Sequence, residues 1–334
     1  MNINMKEWIE SIIVDQQRYT LPIMTHSGIE MLGKRVIDAV TDAEVHSQAV
    51  LLLAEKYSAI ASSVIMDLTV EAEAFGAEIY FADNEVPSVL GRLVYDMETV
   101  QNLHVPSINT ARVPVYLKAN ELIVKHSHKP VISGCIGPYS LAGRLYDMSE
   151  IMMAMFIDPD CIKLLLEKCT QFIIDYCKAL KSVGTNGVLI AEPAAGLLSN
   201  DACMEFSAEY VRLIVSEVQD AGFSVFLHNC GNQGQCTEAM ISTGAAGFHF
   251  GNAVNMVEVL EKCPSESLVM GNLDPVSLFK MATASEVYDT TLELLRTTSA
   301  YPNFVLSTGC DTPPEIPFEN IDSFYRALKD YNTK

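Results

Sequence analysis

Eight short apolar segments recur along the chain, separated by longer helical patterns, and each runs into a polar or glycine-rich turn. They are Leu21–Thr25, Ser62–Asp67, Pro130–Gly134, Gly187–Glu192, Ser224–His228, Gly247–Gly251, Ser267–Gly271 and Asn303–Thr308. Strands of a parallel sheet are buried on both faces, so they read as brief apolar runs rather than as alternating ones. The clearest helical pattern lies between Asp158 and Val183. Asp158 suits an N-cap and Pro159 the first helical position. Ile162, Leu165, Leu166, Cys169, Ile173 and Cys177 recur at three- and four-residue spacing and form one apolar face. Gly184 supplies the stop. Thr41–Ser58 reads as a second helix. Eight strands alternating with helices predict an α/β chain folded as a (β/α)8 TIM barrel. Such barrels need about 250 residues, and the chain has 334. The excess goes into additional N-terminal helices and a long connection between Gly28 and Ala61. The main rival, an open doubly wound sheet, loses support because no GxGxxG follows any of the segments. No linker or low-complexity run divides the chain, so residues 1–334 are expected to be one domain.

Composition narrows the function classes. Hydrophobic residues make up 49% and the formal net charge is −20. A sizeable core is therefore expected, without the basic footprint that nucleic acid or an anionic membrane surface requires. The N-terminal stretch has acids and no cleavable apolar core, and the most apolar run, Ala49–Met66, is interrupted by Glu55 and Lys56. The expectation is a cytoplasmic protein with no membrane span. Nine cysteines scattered through a chain of this size do not form a secreted disulfide framework, and most are expected in the core.

In a barrel of this kind, chemistry sits at the C-terminal ends of the strands. The sharpest constellation there is His228, Cys230 and Cys310. Residues two apart in extended backbone point the same way, so His228 and Cys230 can both face the mouth, while Cys310 follows the last strand. One imidazole and two thiolates form a soft N/S set suited to Zn2+. Three protein ligands with one open position is the catalytic form of such a site. Cys236 competes as a ligand but falls where the next helix begins.

The chain resembles the uroporphyrinogen decarboxylase superfamily, and within it the methylcobamide:coenzyme M methyltransferases. The resemblance spans nearly the whole sequence. It is carried by MDLTVEAEAFGAEI from Met66, GPYSLAGRL from Gly137, AEPAAG from Ala191, HNCG from His228, GNLDPV from Gly271 and STGCDTPPEIPFENI from Ser307. It implies zinc at the barrel mouth on His228, Cys230 and Cys310. It also implies attack by a thiol, such as coenzyme M, on the methyl group of a methylated corrinoid. That corrinoid is methylcobalamin or belongs to a separate corrinoid protein, because this chain lacks an Asp-x-His-x-x-Gly motif.

Glu192, at the end of the fourth segment, is then a candidate catalytic residue, as a displaceable fourth ligand or as the group that holds the His228 ring. Asp67 aligns with the acid by which the superfamily's decarboxylases hold pyrrole nitrogens, and is a second candidate, with a helix cap as its rival reading. Glu71 and Glu73 read as a solvated or locally paired face, and His249 as a satisfied strand-end histidine. Asn272 and Asp274 read as turn-formers that hold the rim. A decarboxylase acting on a carboxylate-rich tetrapyrrole needs basic groups in its cleft. MTHSGIEMLG, after the first segment, has none before Lys34 and Arg35. Homocysteine or tetrahydrofolate as the acceptor stays open at this level, as does a non-catalytic zinc-binding or corrinoid-binding scaffold.

Overall fold

The structure is a computed structural model and describes residues 3–333. Among the described residues nine strands are formed: β1 (Ser62–Ser63), β2 (Glu78–Tyr80), β3 (Ser88–Leu90), β4 (Val131–Ile136), β5 (Gly187–Ala191), β6 (Ser224–Asn229), β7 (Gly247–Phe250), β8 (Leu268–Leu273) and β9 (Phe304–Thr308). β2 and β3 make a separate antiparallel hairpin. The other seven form one parallel sheet in the order β1-β4-β5-β6-β7-β8-β9. The segment before Thr25 closes it. Thr20 bridges in parallel to Leu306, the Leu21 N–H donates to the Leu306 carbonyl at 3.0 Å, and the Ile60 N–H donates to the Thr20 carbonyl at 3.0 Å. The sheet thereby rolls up as the (β/α)8 barrel expected from the sequence.

Two of the expected strands are shorter than the apolar pattern suggests, because side chains take over the ladder. In the first, Thr308 Oγ1 accepts from the Ile23 N–H at 3.1 Å and Asp311 Oδ1 from the Thr25 N–H at 2.9 Å. Thr25 already opens a helix, Thr25–Met31. In the second, pairing stops at Ser63, and beyond it the Ile65 N–H donates to His46 Nε2 at 3.3 Å. The connection from Gly28 to Ala61 is built from helices, including Val36–Thr41 and Ala43–Lys56. The long helix Pro159–Ser182 begins as expected, with Asp158 accepting from the Cys161 N–H.

The period of two along the strands decides which side chains face the barrel axis. Leu21, Ile23, Ile132, Leu189, Phe226, Leu268, Met270 and Val305 fill the interior. Met5, Ile9 and Ile12 of the N-terminal helix Met5–Val14 join the same cluster. Val188, Ile190, Val225, Leu227, Val269, Phe304 and Leu306 belong to the outer cluster, between the sheet and the helices. All nine cysteines are free thiols; seven are buried, and Cys230 and Cys310 are partly exposed. Among the described residues, no helix is long and apolar enough to cross a membrane.

Candidate metal centre at the barrel mouth

Strand parity delivers His228. Phe226 points into the barrel, so His228, two residues on, points inward at the C-terminal end of β6. Cys230 follows directly, and Cys310 lies two residues beyond the end of β9. The ligand atoms of His228, Cys230 and Cys310 all lie within 4.8 Å of one another, and Cys310 Sγ is 3.7 Å from His228 Nε2. In a tetrahedral zinc site, bonds of about 2.3 Å to sulfur and 2.0 Å to nitrogen place those two atoms roughly 3.5 Å apart. The donor set and its spacing therefore fit the metal. The two thiols also interact with each other. The hydrogen bond from Cys310 pulls the Cys230 thiol below its ordinary range against the effect of burial, while the same contact pushes Cys310 up.

Close backbone packing holds this rim. Gly251, just after β7, lies so near Cys230 that a Cβ there would sit 2.6 Å from the Cys230 carbonyl oxygen and 2.7 Å from its Cα. Gly196, in the 3-10 turn after β5, stands in the same relation to Gly231, with a Cβ 2.1 Å from its carbonyl carbon. Asn272 and Asp274 hold the rim as expected. Asn272 Nδ2 donates to the carbonyls of Gly251 at 3.0 Å and Val254 at 2.8 Å. Asp274 accepts from the Val276 and Ser277 N–H groups and from Asn252 Nδ2. Cys236 is the N-cap residue of the helix Thr237–Ser242, with its sulfur against the Ala195 and Leu198 carbonyls, away from the other three.

The remaining candidates separate. Leu189 points inward, so Glu192 has the outward parity of Val188 and Ile190. Its carboxylate accepts from the Tyr139 N–H at 2.8 Å, the Ser140 N–H at 2.9 Å and Ser140 Oγ at 2.7 Å, in the first turn of the helix Pro138–Tyr146. Only its backbone meets His228, as the Glu192 N–H donates to the His228 carbonyl. The hydrogen bonds of the Glu192 carboxylate go to Tyr139 and Ser140, while the ring nitrogens of His228 face His249 and Cys310. Burial raises the Glu192 carboxyl to about 7, against the hydrogen bonds that favour its charge.

Asp67 is closed in on itself. Its Oδ2 takes Arg112 Nη1 at 2.5 Å, and its Oδ1 accepts from the Thr69 N–H and hydroxyl. Glu73 binds the same guanidinium at 2.6 Å, so its paired reading holds. Glu71 is the correction. It is 1% exposed, with Oε1 accepting from the Ile136 N–H and Oε2 without a partner. The short helix Val70–Phe75 is covered by neighbouring helices and buries this face, and desolvation lifts the Glu71 carboxyl to about 8.

His249 reads in the sequence only as a satisfied strand-end histidine, and it is satisfied, but its partner matters. In the register of β6 and β7 it stands opposite His228. The two Nδ1 atoms are 2.8 Å apart, and His249 Nε2 is 2.8 Å from Ser307 Oγ. The spacing of His228 and His249 carries no signal for this contact; only the strand register does.

Comparison with known proteins agrees with this architecture. The uroporphyrinogen decarboxylase (URO-D) family model matches residues 18–331. The methylcobamide:CoM methyltransferase MtbA of Methanosarcina acetivorans is 28% identical over 273 residues, covering 80% of this chain and 79% of that protein. A methylated-thiol–coenzyme M methyltransferase of Methanosarcina mazei is 24% identical, with 79% and 71% covered. A uroporphyrinogen decarboxylase of Wigglesworthia glossinidia brevipalpis is 23% identical, with 92% and 89% covered. In structure, a methyltransferase from Methanosarcina mazei superposes with a TM-score of 0.88 at 23% identity, over 98% of this chain and 99% of the other. A B12-independent methionine synthase from Shewanella shares the fold at a TM-score of 0.58 and 15% identity, over 94% of each chain. With the family model matched from residue 18 nearly to the C-terminus, the chain belongs to the uroporphyrinogen decarboxylase family, on the side of its methyltransferase-type enzymes.

Proposed function

We propose that this protein transfers a methyl group from a methylated corrinoid, either methylcobalamin or a separate corrinoid protein, to a small thiol of the coenzyme M kind. The observation that carries the reading is the convergence of His228, Cys230 and Cys310 within 4.8 Å at the barrel mouth. Those three side chains would hold Zn2+, with His228 contributing Nε2. A bound zinc ion supplies deprotonation of a thiol whose ordinary pKa of about 8.5 leaves it mostly protonated at neutral pH. Two cysteinates among the residues that would hold the ion would balance its charge, which suits the set to activating a thiol as a nucleophile. A neutral set of three histidines suits water activation instead.

The rest of the mouth supports this chemistry by position. Glu192 ties the first turn of Pro138–Tyr146 to the end of β5, beside the strand that carries His228. We assign it a positioning role. Asp67 has the same kind of role, since Arg112, Thr69 and Tyr116 surround its carboxylate.

The decarboxylase reading is disfavoured by a specific absence. The helix Thr25–Met31, which follows the first barrel segment, presents no arginine, and Arg35 beyond it is spent on Asp38 and Asp83 at the surface. The test is metal content and methylation together. Wild-type protein reconstituted with zinc is expected to hold about one ion per chain and to convert methylcobalamin and coenzyme M to methylated thiol. Reconstituted protein without zinc would end this mechanism, and zinc retention with activity only toward homocysteine or tetrahydrofolate would reassign the acceptor.

A further inference from the structure

Four groups form a hydrogen-bonded chain across the top of the barrel, and its direction can be read from chemistry. It begins at the Leu21 carbonyl, which can only accept. Ser307 Oγ lies 2.7 Å from it and donates its one hydrogen there. Were that hydrogen turned elsewhere, two oxygen lone pairs would face each other across that distance in a buried site. With its hydrogen committed, Ser307 Oγ is an acceptor toward His249 Nε2 at 2.8 Å, so His249 carries its proton on Nε2. His249 is 1% exposed with no carboxylate among its hydrogen-bond partners, and its Nδ1 is left as an acceptor. The group facing that lone pair, at 2.8 Å, is His228 Nδ1, which must therefore donate. In the neutral ring the remaining nitrogen of His228, Nε2, keeps its lone pair, and it is the nitrogen turned to Cys310 Sγ.

We propose that His249, itself oriented by Ser307 and the Leu21 carbonyl, is a positioning residue that fixes His228 in the tautomer and ring orientation needed to offer Nε2 to a metal. A metal-binding histidine ordinarily gives its second N–H to a carboxylate, a carbonyl or water. Here the acceptor is a second imidazole, whose own protonation site is dictated two hydrogen bonds further back. The arrangement depends on parity. Ser307, like Val305, faces the axis, and the register of β6 with β7 sets His228 beside His249. The rings meet edge to face, with centroids 4.7 Å apart and planes at 71°.

The inference rests on His228 being a metal ligand, but its central claim is readable without metal. Nitrogen-15 NMR of the imidazoles in the zinc-free protein is expected to show His228 protonated at Nδ1 and His249 at Nε2. The test set is wild type, Ser307→Ala, His249→Gln and His249→Phe, each also titrated with zinc against a competing chelator. His249→Phe removes the acceptor and is expected to weaken zinc binding by about 10–100-fold. His249→Gln restores a side-chain carbonyl as acceptor and is expected to return most of the affinity. Ser307→Ala, the mildest change, is expected to mix the His249 tautomers and weaken zinc binding less. If His249→Phe does not fold, the wild-type spectrum and Ser307→Ala still decide. Wild-type His228 protonated at Nε2, or unchanged tautomers and zinc affinity in Ser307→Ala and both His249 variants, would overturn the proposal. The expected tautomers in a protein that binds no zinc would support the hydrogen-bonded chain while removing the metal reading beneath it.

Discussion

Two sides of the same barrel mouth treat their charged groups in opposite ways. On the side of β1 and β4, Arg112 pairs with both Asp67 and Glu73 within 2.6 Å, and Thr69 and Tyr116 take up the remaining contacts of Asp67. On the side of β6, β7 and β9, His228, Cys230 and Cys310 converge with no cationic side chain paired to either sulfur among the described residues. In the first, the carboxylates of Asp67 and Glu73 already have their partners within the protein. The second brings electron-pair donors together, which is unfavourable unless a cation or a shared proton joins them. A ligand is therefore to be sought at donors that the protein has gathered but not satisfied, rather than at the buried and fully paired Asp67.

The largest effect is expected at the open side. Cys310→Ala or Cys230→Ala is expected to cut zinc retention to about a tenth or less of wild type and to abolish thiol methylation, because two protein ligands do not make a stable site. Metal stoichiometry by mass spectrometry checks it, and full retention in either variant would remove that cysteine from the ligand set. The closed side should respond in stability instead. Asp67→Ala leaves a buried guanidinium without its closest partner and is expected to cost about 3–5 kcal/mol, measured by denaturant unfolding, with zinc content in the folded fraction unchanged. Lost methylation with unchanged stability would make Asp67 a group that handles substrate.

A smaller effect comes from the rim itself. Gly251→Ala places a methyl group against the Cys230 backbone, where nothing flexible can give way. Overpacking of this kind costs about 1–3 kcal/mol, and the displaced Cys230 should weaken zinc affinity in a chelator competition while far-UV circular dichroism stays as wild type. The smallest effect probes the closed side again. The Glu71 carboxyl is raised to about 8 from its ordinary 4.5 by burial. The unfolded chain releases this proton first, so the contribution of protonated Glu71 is fully present below pH of about 4.5 and is lost as the pH rises through about 8. Glu71→Gln, which cannot ionise, is expected to flatten that part of the stability profile and to unfold at a higher denaturant concentration than wild type at pH 8. A profile parallel to wild type between those values would show that Glu71 is already ionised.

The eightfold pattern of short apolar runs was enough for the barrel, because a strand buried on both faces leaves its mark in local composition. The His-x-Cys spacing was equally local, and the position of Cys310 after the last strand put it on the same rim. Strand ends were less legible. Asp311, Thr308 and His46 replace backbone partners with side chains drawn from distant parts of the chain. Glu71 and Glu73 look alike in sequence, two acids two apart, yet one is buried beside β4 and the other pairs with Arg112. Their difference comes from what packs over a six-residue helix, which no local pattern records.

Glu192 and His249 draw the boundary most clearly. In the sequence, the acid beside the His228 strand is the natural partner for the imidazole and the histidine is the bystander. Parity and register reverse the two. Glu192 faces outward, while His249 lands opposite His228 through the pairing of β6 with β7. The barrel and the placing of His228, Cys230 and Cys310 on one rim follow from local composition and from position after the strands, so the order of the amino acids alone was enough to expect them. The partner of each donor came only with the folded sheet, since hydrogen bonds between strands depend on register and side-chain direction, which are set when the whole barrel closes.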